Sequence, residues 1–152
     1  MVKAASLDDI DAVVASAGGL FHEDGGQHDP LMNVGWPDRE GAGYYSELVA
    51  DQRGLLVLAW DDDRVVGHLA GRLSGPSTIQ TGCVAVLESM RVAPDARRAG
   101  VGSRLVGNFF AWGRLAGARH ASVTAYAANE TARRFYARHG FVPHSVTART
   151  AI

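Results

Sequence analysis

The chain has 152 residues, 47% of them hydrophobic and 20% charged, and carries a formal net charge of −1. That length can bury a substantial core in one domain, and the composition is ordinary for a globular protein, which excludes disordered and fibrous classes. The single cysteine, Cys83, excludes an internal disulfide and any cysteine-based zinc site, and core packing suffices to explain it.

No apolar run approaches the roughly 18 residues that suggest a membrane span, and the acid-rich N-terminus is unlike a signal peptide. A soluble cytoplasmic protein with one domain, residues 1–152, and no membrane partner is therefore expected. The small net charge conceals a division. Met1 to Ser89 holds 5 Lys and Arg against 14 Asp and Glu, whereas Met90 to Ile152 holds 10 against 2. A basic half suits a polyanionic ligand and an acidic half a cationic one, although solvated faces also account for the split. Nucleic acid is a poor partner, because the arginines are not interleaved with aromatic residues.

In chain order, Val2 to Ala5 reads as a short edge strand and Ser6 as an N-cap, followed by a helix with Leu7, Ile10, Val13, Val14 and Ala17 on one face. Gly18 and Gly19 are expected to end it. Leu20 to Arg39, with three glycines and two prolines, reads as a long loop with at most one helical turn. Glu40 to Gln52 reads as a second helix. Leu55 to Trp60 and Val65 to Leu73 form a hairpin, with Gly67 and Gly71 as weak points in its second arm. Cys83 to Val92 alternates as a strand, with Val84, Val86, Glu88, Met90 and Val92 on one face if the pleat is regular. A long helix follows, with Val101, Leu105, Val106, Phe109, Trp112 and Leu115 in its apolar stripe and Gly117 at its end. His120 to Tyr126 is another strand, Asn129 to His139 another helix, and Phe141 to Thr150 one or two closing strands.

The joint between the third strand and the long helix runs from Val92 to Ser103, and its chemistry suits an anion. Backbone N–H groups at a helix start lack partners and lie at the positive end of the dipole. Gly100 and Gly102 let a phosphate approach the backbone, and Arg97 and Arg98 add charged donors. The joint lacks the Gly-Lys-Ser/Thr ending of a nucleotide-binding P-loop.

Val92, Pro94, Arg97, Gly100 and Gly102 after a strand, then Asn129, Ala132, Phe135, Tyr136, Gly140 and Phe141, resemble the acetyl-CoA-binding core of the GNAT family of N-acetyltransferases. The resemblance implies an α/β, GNAT-type acyl-CoA N-acyltransferase fold: a mixed, mostly antiparallel sheet of six or seven strands with about four helices. It implies that the sheet splays between the strand ending at Val92 and the one starting at His120. Acetyl-CoA would enter there as cosubstrate, with no metal. The implied contacts are Met90, Arg91 and Val92 beside the pantetheine, and Arg97, Arg98, Ala99, Gly100, Val101, Gly102 and Ser103 around the pyrophosphate. Asn129, Ala132 and Phe135 would contact the arm from the second block. Asn129 is equally well explained as an N-cap.

Attack of an amine on a thioester needs a base for the amine and an acid for the leaving thiolate. Tyr136 is the candidate acid, since the matching tyrosine of the family points at the CoA sulfur; a buried core tyrosine is the alternative. Glu88 is the candidate base, in a strand whose apolar neighbours would raise its pKa by desolvation. A structural ion pair with Arg91, or a bulge turning it to solvent, would serve as well. His120 and His68 are the next candidates. Glu23, Asp24, Asp29 and Trp36 in the long loop and Tyr44 and Tyr45 on the second helix are candidates for the acceptor pocket, although each is also explained as a surface residue. The expected activity is acetyl transfer to a primary amine of a small cationic molecule. Alternatives are a protein N-terminus or lysine as acceptor, or a catalytically silent CoA-binding module. A homodimer is also expected as an option, the short C-terminus favouring a shared strand.

Overall fold

The computed structural model describes residues 1–152. Five strands form one sheet in the order β1-β2-β3-β4-β5: β1 Val2–Ala4, β2 Gly54–Asp61, β3 Arg64–Ser74, β4 Val84–Val92 and β5 His120–Val123. The first three pairings are antiparallel and β4 pairs parallel with β5. Five helices flank the sheet: α1 Ile10–Leu20, the single turn α2 Gly26–His28, α3 Ala42–Ala50, α4 Val101–Leu115 and α5 Glu130–Arg138.

Period-2 alternation divides the core between the two faces of the sheet. Val57, Ala59, Leu69, Ala85 and Leu87 pack under Val101, Leu105, Val106 and Phe109 of α4. Leu56, Leu58 and Ala70 face the other way, against Ile10, Val13 and Ala17 of α1 and Tyr45 and Leu48 of α3. Gly67 and Gly71, which weaken β3 as a sequence, mark where α4 lies closest. A Cβ would come within 3.3 Å of Leu105 at the first and 3.1 Å of Phe109 at the second. At Gly67 it would also stand 2.8 Å from the Arg91 carbonyl oxygen.

The structure corrects four expectations. Gly18 and Gly19 do not end the first helix, because the helical path continues through a wide π-turn, Phe21–Gly25, into α2. Gly19 is there for room: a Cβ would stand 2.4 Å from the Arg91 guanidinium carbon. The loop expected from Leu20 to Arg39 shrinks accordingly to Asp29–Gly35, since Trp36 already opens a second π-turn, Pro37–Gly41, that leads into α3. Helical periodicity of 3.6 does not register such turns, which insert a residue per turn.

The sheet has five strands, not six or seven, and Phe141 to Thr150 forms none. Val142 and Val146 alternate as in a strand but are exposed, and the tail instead crosses back so that Arg149 pairs with Asp29 at 2.7 Å.

The fourth correction concerns β4. Its partners on β3 run Leu69 to Met90, Ala70 to Ser89 and then Gly71 to Leu87, so Glu88 is an inserted residue. This bulge resets the pleat. Leu87 and Met90 both join the α4 face, while Glu88 and Ser89 emerge beside α3. Glu88 therefore does not share a face with Met90 and Val92. Parallel pairing with β5 stops at Leu87 and Val123, just before the bulge, so from there to Val92 β4 is paired with β3 alone. The sheet splays there, as expected.

Candidate active site

The splay is bounded by the end of β4, the start of α4 and the start of α5. Past Val92 the chain makes one 3-10 turn, Pro94–Ala96, and then passes through Arg98 at φ 65° and Gly100 at φ 79°. The left-handed value is unstrained only at Gly100. In α4 the first helical backbone donor is the Arg104 N–H, bonded to the Gly100 carbonyl at 3.1 Å. The N–H groups of Val101, Gly102 and Ser103 have no backbone acceptor, which leaves three donors at the positive end of a 15-residue helix. Gly102 lets α5 close over this point, since a Cβ there would lie 3.1 Å from the Phe135 ring. The Ser103 hydroxyl reaches His139 Nε2 at 3.1 Å. These features fit an anionic, pyrophosphate-bearing ligand.

Two of the expected basic contacts are already engaged. Arg91 lies beneath α1 and gives Glu23 a bond of 2.6 Å. Arg97 gives the other Glu23 oxygen a bond of 2.6 Å and the Val92 carbonyl one of 2.9 Å. These donors hold the Glu23 carboxyl below the usual carboxylate range, Arg91 most strongly. Arg91 is therefore the partner of Glu23, not of Glu88, and part of the charge division is spent in joining the two halves of the chain. Arg98 has no ion-pair partner.

Across the splay, Asn129 caps α5 by accepting from the Ala132 N–H at 3.1 Å and donates to Asp24 Oδ1 at 2.8 Å. Its side chain is thus occupied at both ends. Tyr136, about two turns further along, is largely buried, and burial together with the Asp24 charge pushes its hydroxyl up to about 12. Its hydroxyl makes no hydrogen bond within the protein, so it stays protonated and free to donate.

Beside the splay, on the α1 and α3 face of the sheet, lies a cavity of about 420 Å³. Its wall includes Phe21, Trp36, Tyr44 and Tyr45, closed at one side by Glu88 and Ser89. The aromatic rings hold one another: Trp36 stacks on Phe21 at 5.6 Å and meets Tyr44 edge-on at 5.3 Å. Tyr44 donates its hydroxyl to Glu88, and Arg72 binds the other carboxylate oxygen at 3.2 Å. Burial first, and the bond to Glu88 next, raise the Tyr44 hydroxyl above its ordinary value.

Trp36, Tyr44 and Tyr45 come together with Glu88 in this wall, while Asp24 stands with Asn129 at the splay, Glu23 pairs with Arg91 and Arg97, and Asp29 pairs with Arg149, so none of these three acids is part of it. His120 is exposed at the start of β5, opposite Val84 and far along the sheet from the bulge. His68 is buried behind Ser89, and its pKa is lowered to about 4 by burial and by Arg91. Neither lines the acceptor cavity. Phe21, Met32, Asn33 and Ser89 also line the cavity and escaped sequence reading, because their placement depends on the two π-turns and the bulge.

A sheet that opens beside an unpartnered helix start, with a phenol on the following helix, is the arrangement that the resemblance to CoA-dependent acyltransferases implies. The model of the Acetyltransferase (GNAT) family matches residues 21–141, so the chain belongs to that family and is an acetyl-CoA-dependent N-acetyltransferase by class. Solved structures with the same fold include a tetramutant of the BH1408 protein from Bacillus halodurans, at TM-score 0.90 and 15% identity, covering 100% of this chain and 99% of that one. Another is the aminoglycoside antibiotic 6'-N-acetyltransferase AAC(6')-IG from Acinetobacter haemolyticus, at TM-score 0.77 and 18% identity, covering 100% and 97%. A third is the aminoglycoside N-acetyltransferase AAC(6')-Iy in complex with CoA, at TM-score 0.75 and 14% identity, with both chains covered to 100%. No curated protein matches in sequence. No helix is long and apolar enough to cross a membrane.

Proposed function

We propose that the protein transfers the acetyl group of acetyl-CoA to a primary amine on a small cationic molecule that binds in the aromatic cavity. The observation that carries this reading is the wall itself: four aromatic side chains and one carboxylate, Glu88, around about 420 Å³. Aromatic faces and a carboxylate attract an ammonium group, and the volume suits a small ligand. Two of the structural neighbours are named as acetyltransferases of aminoglycosides, which are amines of this charge class.

The pyrophosphate would lie against the N–H groups of Val101, Gly102 and Ser103 with Arg98 beside it, and the pantetheine arm along Met90 and Val92. Ala99 and Gly100 would shape the turn, and Ala132 and Phe135 would close the arm from α5. Glu88 takes a proton from the bound ammonium, directly or through water, and the freed nitrogen attacks the thioester carbonyl carbon. The C–N bond forms, the C–S bond breaks, Tyr136 gives its proton to the departing sulfur, and the second proton that the acylated nitrogen must lose returns through water to the Tyr136 oxygen, leaving a neutral amide and a neutral phenol. Asp24, held by Asn129, keeps a negative charge beside Tyr136 and so favours the protonated phenol beforehand.

The test is thiol release from acetyl-CoA over a panel of amines: polyamines, aminoglycosides, amino acid esters and a lysine-bearing peptide. Turnover of cationic small amines, reduced in Trp36→Ala, is the expected result. Turnover confined to the peptide would transfer the acceptor role to a protein, and no turnover with any amine would overturn the enzyme reading.

A further inference from the structure

Behind the acceptor cavity runs a buried chain of polar groups that acetyl transfer, as described, does not use. Ser89 lines the cavity, and its Oγ lies 3.2 Å from His68 Nε2. On the other side of the ring, His68 Nδ1 lies 2.6 Å from Ser16 Oγ. Ser16 in turn lines a second cavity of about 440 Å³, together with Trp60, Asp63, Arg64 and Arg91. The indole N–H of Trp60 has no partner within the protein. Three residues from three elements, α1, β3 and β4, thus connect the acceptor cavity to a separate opening.

The ring is 0% exposed and touches no carboxylate. The ionisable groups around it are Arg91 on β4 and Tyr45 on α3, the latter 6.4 Å away between ring centres. Burial and the arginine both keep the imidazole neutral, with one nitrogen donating and one accepting. A buried histidine satisfied by two hydroxyls needs no function beyond packing. What packing does not explain is that each hydroxyl opens onto a cavity. Acetylating an ammonium group leaves one proton over: an ammonium and a thioester become an amide, a thiol and H⁺.

Resting on the acetyltransferase reading above, we propose that Ser89, His68 and Ser16 form an exit path that carries this proton from the acceptor cavity to the opening lined by Ser16. With the ring proton on Nδ1, Ser89 passes its hydroxyl proton to Nε2 as it receives the proton released at Glu88. Nδ1 passes its proton to Ser16 Oγ, and Ser16 releases its own to solvent. Proton number is conserved at each transfer, and the ring is left as the Nε2–H tautomer. The path resets when the ring turns away from both hydroxyls and exchanges that proton with water for one on Nδ1, so it passes one proton per ring reorientation. His68 and Ser16 touch no substrate and are positioning residues.

Ser16→Ala cuts the far end without altering the acceptor wall, and His68→Gln cuts the middle. Rates would be read with an amine found in the panel, over pH 6 to 9, at low buffer and with added imidazole. The expected result for Ser16→Ala is a kcat roughly tenfold lower at low buffer, with KM for both substrates unchanged and the loss recovered by imidazole. Wild type should respond little to imidazole. If Ser16→Ala matches wild type, or loses kcat equally at every buffer concentration while melting like wild type, the path is overturned and the acetyltransferase reading stands. A wild type that acetylates no amine overturns both.

Discussion

The side-chain amide of Asn129 donates to Asp24 across 2.8 Å, joining the start of α5 to the π-turn after α1. A residue that serves as an N-cap thereby also fixes a charge beside Tyr136. Asn129→Ala is predicted to lose about 1 kcal/mol of stability from the cap alone. Asp24→Asn removes a negative charge that disfavours the phenolate, so the Tyr136 hydroxyl should titrate below its value of about 12. Ultraviolet titration of tyrosinate against wild type measures the shift.

Tyr136→Phe keeps the ring in its packing and removes only the proton. The expected effect is a fall in kcat of about 10²-fold or more, with little change in the KM for acetyl-CoA. Because the raised pKa keeps the phenol neutral until about pH 12, no alkaline limb in the wild-type rate should arise from Tyr136 within the ordinary working range.

The acceptor wall separates binding from chemistry. Glu88→Gln keeps the size of the group that meets Tyr44 and Arg72 but loses the carboxylate, and should lower kcat by about 10²-fold. Trp36→Ala removes a ring that packs between Phe21 and Tyr44, and should raise the amine KM by about tenfold, the order of one cation–π contact. Steady-state rates with both substrates varied distinguish the two.

Acid should destabilise the protein through His68. Its folded pKa of about 4 lies below the unfolded value near 6.5, so the unfolded chain takes up the proton first. The stabilisation from the neutral ring is complete above pH 6.5 and is lost as pH falls to about 4, on the order of 3 kcal/mol. Chemical denaturation at pH 7 and pH 4.5 should show a smaller loss in His68→Gln than in wild type.

Much of this was legible in the residues, and what was not has a physical cause. The hairpin, β4, α4 and α5 follow from their periodicity, and the helix start at Gly100 from glycines placed where only they serve. The bulge at Glu88 is one of the alternatives the residues leave open, and periodicity does not choose it because alternation assumes one residue per step, whereas an inserted residue changes the face of everything after it. The π-turns at Phe21–Gly25 and Pro37–Gly41 escaped for the corresponding reason in helices. Those turns aim Phe21, Glu23 and Asp24 at three different destinations: the acceptor wall, Arg91 with Arg97, and Asn129. The closing strands read into Phe141–Thr150 show the opposite error, since Val142 and Val146 alternate correctly but lie exposed with no strand beside them.

Thermal unfolding with and without acetyl-CoA tests most directly whether the splay beyond Leu87 and Val123 holds the cosubstrate. At about 100 times its dissociation constant the ligand should stabilise the protein by about 2.7 kcal/mol. Arg98→Glu, which leaves the Glu23 pairs intact, should shrink that displacement. An unfolding curve that acetyl-CoA does not move would contradict the assignment of the splay as its site.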